Sequence, residues 1–279
     1  GVGPEAGIFT AIVAGFVISA LGGSSVQIAG PTAAFATIVA GIIAKDGLDG
    51  LVISTILAGI FLILMGFCHF GSLIKFIPYT ITTGFTSGIA VTIVIGQLKD
   101  FFGITYPDGV KPIETTEKFK AFAENISTIN TDALIVGIVS LAILIISPML
   151  LKRIPGSLIA VIVGSLMVQF LPLKVSTIGN LYTINNSLPS FHLPEVNVQI
   201  IQNAIPNAFT IAVLAAIESL LSCVVADGMI NGKHRSDMEL VAQGAGNIAS
   251  ALFGGIPATG AIARTAANIK NGGRTLRFL

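Results

Sequence analysis

Charged residues are scarce in this sequence. Asp, Glu, Lys and Arg make up 10% of its 279 residues, whereas soluble globular domains carry about 25%. That leaves too little polar surface to cover a soluble protein of this size. The formal net charge of +1 gives no sign of a nucleic-acid-binding surface. Both shortages argue against a soluble domain and against a nucleic-acid-binding module.

Reactive and metal-binding residues are also few. Tryptophan is absent, and the two cysteines, Cys68 and Cys223, lie in apolar helical stretches. They are best interpreted as buried small residues and not as a disulfide or a metal-binding pair. The sequence contains no nucleophile elbow, metal-ligand set or phosphate-binding loop above background. It therefore predicts neither a cofactor nor an enzyme.

Long apolar runs dominate what the sequence does contain, since 53% of its residues are hydrophobic. Several runs exceed the roughly 18 residues that suggest a membrane-spanning helix. They predict an all-α polytopic membrane protein with apolar segments at residues 6–21, 31–44, 51–69, 77–98, 132–151, 156–172, 203–226, 238–253 and 257–270. Two polar stretches separate them: residues 99–131, with an amphipathic surface helix at Glu114–Glu124, and residues 173–202, an extended loop.

Two of the apolar segments are short and follow interruptions rich in glycine and proline. GGSSVQIAGPTAAF, at residues 22–35, contains a stretch of β-strand character, and FGGIPATGAIARTAANIKNGG, at residues 253–273, is its counterpart near the other end of the chain. We predict that Pro31 and Pro257 begin these two half-helices, because the missing proline N–H costs little in the first turn of a helix. Such paired interruptions indicate a transporter binding site near the middle of the membrane.

The physical consequence of ending a helix inside a membrane is an exposed positive pole. The first N–H groups of a helix are unpaired and carry about half a positive charge. Non-helical backbone at that depth is tolerated only where protein or a water-filled cavity satisfies it. If the two half-helices oppose each other, their N-termini converge and form an anion site. The alternative is that the glycines and prolines serve only tight packing or a kink.

Two ionisable residues fall within the last group of spans: Glu218 and Arg264. Charged groups inside a membrane are expensive and usually face a cavity or a partner. Arg264 would add a full positive charge to the converging helix ends. Glu218 is the acidic residue in the middle of a span and hence the candidate proton carrier, and Ser222 shares its helical face. The alternative is a structural Glu218–Arg264 ion pair that holds two helices together.

These segments resemble the SulP family of anion transporters. The resemblance covers essentially the whole chain, and the motifs that carry it are LGGSSVQIAGPTAAF (residues 21–35), AAIESLLSCVVADGM (215–229), KHRSDMELVAQGAGNIASALFGG (233–255) and GGIPATGAIARTAANIKNGGRT (254–275). It implies an inverted repeat of seven plus seven spans, in which a core domain moves against a gate domain. It also implies anion binding between the third and tenth spans, which correspond to residues 31–44 and 257–270.

The resemblance also assigns roles to particular residues. Thr32 and the neighbouring Ala33 match the family's anion-contacting positions, as does the stretch Gly260, Ala261, Ile262 and Ala263. Arg264 matches its basic position, and Glu218, with Ser222, its ion-coupling positions on the eighth span. Some sodium-coupled members carry a hydroxyl residue where this chain has Ile262, so we expect proton coupling, with sodium as the alternative.

The resemblance implies core-type spans at about residues 1–70 and 203–279, and gate-type spans at about 77–172. The family's first span, last four spans and cytoplasmic STAS domain have no counterpart in this sequence. We expect secondary active transport of a sulfate-like, bicarbonate or dicarboxylate anion in the bacterial inner membrane. The transporter is expected to work by an elevator-like cycle and as a homodimer.

Three other functions remain open on the sequence. A nucleobase or ascorbate carrier has the same architecture but tends to place a second carboxylate near the tenth half-helix, where this chain has Arg264. An anion channel or an exchanger without cation coupling would keep the anion site but have no need of Glu218. An intramembrane enzyme is the weakest of the three, because no catalytic set is visible.

Overall fold

The computed structural model describes residues 2–76, 79–107, 109–110, 112–150, 154–182, 188–194 and 197–274. Within these ranges the regular secondary structure is helical apart from two two-residue strands, which confirms the all-α class. The helices and strands in chain order are α1 (Pro4–Leu21), β1 (Ala29–Gly30), α2 (Ala36–Phe67), α3 (Tyr79–Phe101), α4 (Thr115–Glu124), α5 (Thr131–Leu150), α6 (Gly156–Phe170), α7 (Ile178–Leu181), α8 (Val198–Ile230), α9 (Ser236–Leu252), β2 (Thr259–Gly260) and α10 (Ile262–Lys270).

The helices follow the apolar runs, because a backbone surrounded by lipid must satisfy its own hydrogen bonds. In the described part of the chain, four helical segments are long and apolar enough to cross a membrane: Pro4–Leu21, Ala33–Phe67, Thr131–Leu150 and Val198–Ile230. Helix α5 leaves most of its apolar side chains exposed, as expected for a surface that faces lipid. Residues 77, 78 and 151, which the predicted segments 77–98 and 132–151 include, lie outside the described residues.

The first half-helix and the span after it form one helical run with a break. A single 3₁₀ turn at Ala33–Phe35 leads into α2, and Gly47 interrupts α2 with φ 71° and ψ −170°. Glycine reaches this left-handed φ without a steric penalty. The break separates residues 36–46 from residues 48–67, so the predicted short segment 31–44 and span 51–69 correspond to the two parts of α2.

The predicted starts of the half-helices need correction. Pro31 precedes the first helical turn by two residues, whereas Pro257 lies before β2 and five residues ahead of α10. A proline before a strand removes no hydrogen bond that the short strand needs. Pro257 therefore belongs to the extended approach to the second half-helix and does not begin it.

The polar stretches are more ordered than the sequence predicts. Helix α4 lies within the predicted Glu114–Glu124, and the carboxylate of Glu117 accepts hydrogen bonds from the N–H groups of Ile113 (2.9 Å) and Glu114 (3.2 Å). These two bonds hold the pKa of Glu117 below its ordinary value. The predicted extended loop at residues 173–202 instead contains α7 and the first residues of α8.

The chain divides into two compact units, residues 1–86 with 184–279, and residues 87–183. In the second unit, α5 packs on α6, and the loop after α6 is tied back by bonds from the Asn130 amide to the Lys174 carbonyl and from the Lys174 N–H to Asp132. In the first unit, α2, α8 and α9 pack around a core of small and aliphatic side chains. This core includes Phe35, Val39, Leu51, Ala58, Leu62, Ile211, Ala212, Ala215 and Leu240.

Helices α2 and α9 approach each other closely at Gly59 and Gly244. A Cβ atom on Gly59 would lie 2.6 Å from the carbonyl oxygen of Gly244, and one on Gly244 would lie 2.5 Å from the carbonyl oxygen of Gly59. Small residues allow such backbone contact between membrane helices, where there is little hydrophobic force to hold helices together. This contact fixes α9, which in turn carries the residues that support β2.

We expect Gly59→Ala to destabilise the protein by about 1 to 3 kcal/mol, because the new methyl group would overpack the contact with Gly244. Gly41→Ala in the same helix is the matched control, since a Cβ there meets nothing within 4 Å. The measurement is thermal unfolding in detergent. Equal melting temperatures for the two variants would contradict the close contact.

Candidate functional site

The two half-helices are brought together by the antiparallel pairing of β1 with β2. Ala29 pairs with Gly260 and Gly30 with Thr259, and the N–H of Ala261 donates to the carbonyl of Ile28 at 2.8 Å. Each strand leads directly towards a helical turn, so the starts of the two half-helices become neighbours. Ala261, which caps α10, thus occupies the place that corresponds to Pro31 and Thr32 in the first half-helix.

The free N–H groups of α10 lie at this junction. In the described part of the chain, the backbone N–H groups of Ile262, Ala263 and Arg264 have no hydrogen-bond acceptor, as expected for the first turn of a helix. Ala263 and Arg264 are exposed, as is Ala33 in the first half-helix, and Ile262 is half-buried. The junction therefore presents unpaired donors and the positive ends of two helix dipoles.

Helix α8 holds the second strand through a chain of hydroxyl groups. The N–H of Gly260 donates to the Ser219 hydroxyl at 3.0 Å. The Ser219 hydroxyl lies 2.9 Å from the Thr259 hydroxyl, and the Thr259 hydroxyl donates to the Ala215 carbonyl at 3.2 Å. All of these groups are buried, and each polar atom has a partner, which is what a low-dielectric environment demands. A Cβ on Gly260 would displace the side-chain amide of Gln27 and would lie 3.0 Å from the Cα of Ser219, so a glycine allows the close approach of β2 to α8.

A second hydroxyl bridge joins α8, α10 and the segment before β1. The buried Ser222 hydroxyl donates to the Thr265 hydroxyl at 3.1 Å, and the Thr265 oxygen also accepts a hydrogen bond from the N–H of Ile28 at 3.0 Å. Ser222 does lie one helical turn from Glu218, as the sequence predicts. Its hydroxyl proton, however, is engaged in holding the two half-helices to α8.

Glu218 contacts the first half-helix directly. Its carboxylate accepts a hydrogen bond from the hydroxyl of Thr32 at 3.1 Å, and only 5% of the residue is exposed. Thr32 immediately precedes the first turn of that half-helix. The acidic residue of α8 therefore lies beside the predicted anion-contacting position, and one hydrogen bond joins the two side chains.

Arg264 contacts the opposite half-helix. Its guanidinium group donates to the carbonyl of Pro31, and it would lie 3.1 Å from a Cβ on Gly30. Among the described residues, Arg264 and Glu218 form no ion pair, so the structural ion pair considered for them is wrong as an account of this conformation. The positive charge of Arg264 remains available at the junction.

Sequence reasoning missed most of the scaffold around the site. Asn247 of α9 is fully buried and bonds both backbone groups of Ala258, at 2.9 Å each, just before β2. Glu239 of α9 is also buried and accepts the N–H of Gly23 at 2.9 Å. One sequence signal could have identified these residues: they are polar side chains in segments that are otherwise small and apolar. A polar side chain that is buried in such a segment needs a hydrogen-bond partner.

These features define a multi-pass membrane protein with two facing half-helices at a polar junction. The family model described as the sulfate permease family matches residues 1–276. The chain belongs to the sulfate permease family, which confirms the resemblance drawn from its motifs, and it is an integral membrane protein.

The chain is similar to sulfate and bicarbonate transporters. The chain is 42% identical over 278 residues to the putative sulfate transporter YvdB of Bacillus subtilis, covering 98% of this chain and 51% of that protein. It is 34% identical over 286 residues to the bicarbonate transporter BicA of Picosynechococcus, covering 99% of this chain and 50% of that protein. The chain thus spans about half the length of the curated relatives it matches.

Solved structures share the fold. The transmembrane domain of a cyanobacterial bicarbonate transporter BicA superposes with a TM-score of 0.83 at 30% identity, covering 98% of this chain and 71% of that one. The murine Solute Carrier 26 family member A9 anion transporter in the inward-facing state gives 0.79 at 19% identity, covering 99% and 50%. The latter likeness concerns the fold alone.

We expect Ser219→Ala to destabilise the protein by about 1 to 3 kcal/mol, because it leaves the buried N–H of Gly260 without an acceptor. Ser72→Ala, which removes an exposed hydroxyl bonded to the carbonyl of His69, is the matched control. Thermal unfolding in detergent compares the two variants. A Ser219→Ala protein as stable as the control would contradict the role of this hydroxyl in holding β2.

Proposed function

We propose that this protein is a secondary active transporter of inorganic or small organic anions, with a sulfate-like ion, bicarbonate or a dicarboxylate as substrate, and that it couples transport to protons. The observation that carries the proposal is the β1–β2 pairing, which places the positive ends of two half-helices side by side. Relatives of the chain are named as sulfate and bicarbonate transporters. These names support the proposed substrate class, and they support the assignment as a transporter and not as an enzyme.

The anion would bind where the two half-helices begin. Thr32 and Ala33 supply one side and Gly260, Ala261, Ile262 and Ala263 the other, with Arg264 adding a full positive charge. Backbone N–H groups and a guanidinium group recognise negative charge and oxygen atoms more than molecular shape. Such a site would suit several small oxyanions.

The proton would bind Glu218. Because Glu218 lies beside Thr32, an ionised carboxylate and a bound anion would repel each other, and protonation would favour anion entry. Each partner then raises the affinity for the other, as symport requires by reciprocity. Sodium is the alternative coupling ion, with Glu218 and Ser222 as its ligands. The proton is favoured by Ile262, which stands where some sodium-coupled members of the family carry a hydroxyl residue.

Transport would follow an elevator-like cycle in which a core domain, residues 1–70 with 203–279, moves against a gate domain, residues 77–172. The hydrogen bonds that link the two half-helices to α8 and α9 support movement of the core as one body. The homodimeric state is part of the same proposal and follows from the family resemblance. A nucleobase or ascorbate carrier is disfavoured by Arg264, which stands where such carriers tend to have a second carboxylate.

The transport proposal is tested by counterflow in proteoliposomes that contain the full-length protein. Labelled sulfate, bicarbonate, chloride and a dicarboxylate are compared with uracil and ascorbate. We expect saturable counterflow of at least one anion and no counterflow of uracil. Uracil or ascorbate as the preferred substrate, or no counterflow of any anion, would overturn the proposal.

We expect Arg264→Gln to weaken anion binding by about 1 to 3 kcal/mol, a loss of about 5- to 150-fold in affinity, because a charge-assisted contact is removed. Lys270→Gln, which removes a positive charge from the last turn of the same helix, is the matched control. Anion dissociation constants are measured by calorimetry on purified protein. A folded Arg264→Gln protein with an unchanged dissociation constant would make Arg264 a structural residue.

We expect Glu218→Gln to bind and exchange the anion but to lose accumulation driven by a proton gradient, since glutamine mimics the protonated side chain and carries no proton. Wild-type uptake should rise as the external pH falls. Glu124→Gln, on the exposed face of α4, is the matched control. Accumulation by Glu218→Gln under an imposed proton gradient would refute the assignment, and a strict sodium requirement in the wild type would replace the proton with sodium.

A further inference from the structure

The hydroxyl group of Thr32 lies between the acidic residue of α8 and the start of the first half-helix. It donates to the Glu218 carboxylate at 3.1 Å, and its half-buried side chain lies next to the exposed Ala33. A hydroxyl group has one proton to donate and two lone pairs to accept with. While the Thr32 hydroxyl donates its proton to the hydrogen bond with Glu218, only its oxygen lone pairs are available to another partner.

We propose that Thr32 is a switch that converts protonation of Glu218 into a hydrogen bond to the transported anion. This inference rests on the proposed function and names the atom through which the two sites communicate. In the ionised state, Glu218 can only accept, so it accepts the hydrogen bond that the Thr32 hydroxyl donates. The oxygen lone pairs of Thr32 then face the anion site. In that state Thr32 repels an anion.

Protonation reverses the direction of this hydrogen bond. One proton from solvent forms an O–H bond with Glu218, and the carboxylic acid then donates to the Thr32 oxygen. The Thr32 hydroxyl rotates about its Cβ–Oγ1 bond, and its own proton becomes free to donate to an oxygen of the anion. No other covalent bond changes. Each proton bound by Glu218 thereby supplies one additional donor to the anion.

Among the described residues, the charged groups around Glu218 do not replace Thr32 as its hydrogen-bond partner. Arg264 is directed to the carbonyl of Pro31 and does not pair with Glu218 among the described residues. The charged groups that the structure describes on α8 itself and on the helices packed against it are otherwise Lys45, Asp46, Asp49, Asp227, Asp237, Glu239 and Lys270. Of these, Asp46 bonds to Asn207, Asp227 to His234, Asp237 to His69 and Glu239 to Gly23.

The neighbouring hydroxyl groups have other partners. Ser219 bonds to Thr259 and Gly260, and Ser222 donates to Thr265. Among the hydroxyl groups of this junction in the described residues, Thr32 is thus the one that bonds to the acidic side chain. Electrostatic repulsion alone would couple the two ligands without a particular residue, whereas the switch predicts that the coupling depends on one hydroxyl group.

The test compares Thr32→Val, which keeps the side-chain shape and removes the hydroxyl, with Thr32→Ser, which keeps the hydroxyl. Dissociation constants for sulfate and bicarbonate are measured for the full-length protein across a pH series that brackets the titration of Glu218. Thr210→Val is the matched control, because it removes an exposed hydroxyl about two helical turns before Glu218 in α8. Thermal unfolding verifies that each variant is folded.

We expect Thr32→Val to weaken anion binding by about 10- to 100-fold at low pH, because a hydrogen bond to a charged ligand is lost. At high pH the variant should bind the anion as well as the wild type or slightly better, because the lone pairs that repel the anion are removed with the hydroxyl. Thr32→Ser should restore the wild-type profile. In a Glu218→Gln background, the effect of Thr32→Val should become independent of pH. A Thr32→Val penalty that is equal at all pH values would overturn the switch and make Thr32 an ordinary anion ligand or a structural residue.

Failure of the proposed function gives a different result. A wild-type protein that binds neither sulfate nor bicarbonate refutes the anion assignment, and one whose anion affinity is independent of pH refutes proton coupling. The switch is overturned when the wild type shows pH-dependent binding and Thr32→Val keeps that dependence in full.

Discussion

Two short pieces of extended backbone inside a membrane must find hydrogen-bond partners, and the rest of this structure depends on how they do so. Strands β1 and β2 satisfy part of the requirement by pairing with each other. Side chains of α8 and α9 supply the remainder, because lipid offers no hydrogen-bond partners to non-helical backbone. The pairing places the two half-helix starts together, and with them the unpaired N–H groups of the first turn of α10.

The buried polar residues are a consequence of the same requirement. Ser219, Ser222 and Asn247 are fully buried, yet each bonds to the backbone or side chains of the strand segments. An unpaired polar group in such surroundings costs about 1 to 3 kcal/mol, roughly twice what a bonded one contributes. The supporting residues therefore fix the geometry of the junction at which Thr32, Glu218 and Arg264 lie.

The sequence alone predicts a large part of this arrangement. Long apolar runs with few charges identify spanning helices, because the hydrocarbon core of a membrane excludes unpaired backbone and charge alike. The paired glycine- and proline-rich interruptions indicate the two half-helices, and their motifs indicate the family. Helix ends are less well determined. Pro257 has the local properties of a first helical residue but lies in an extended segment, since pairing with β1 delays the start of α10 to Ile262.

Only the tertiary structure decides which residues meet at the junction. The pairing of Ala29 with Gly260 joins positions more than two hundred residues apart, and a shift of one residue in a strand would turn every side chain to the opposite face. No local pattern specifies that register. It determines that Glu218 contacts Thr32 and that Arg264 contacts Pro31, where the sequence also allowed an ion pair between Glu218 and Arg264. The sequence by itself determines the composition of the site, and long-range backbone pairing determines its contacts.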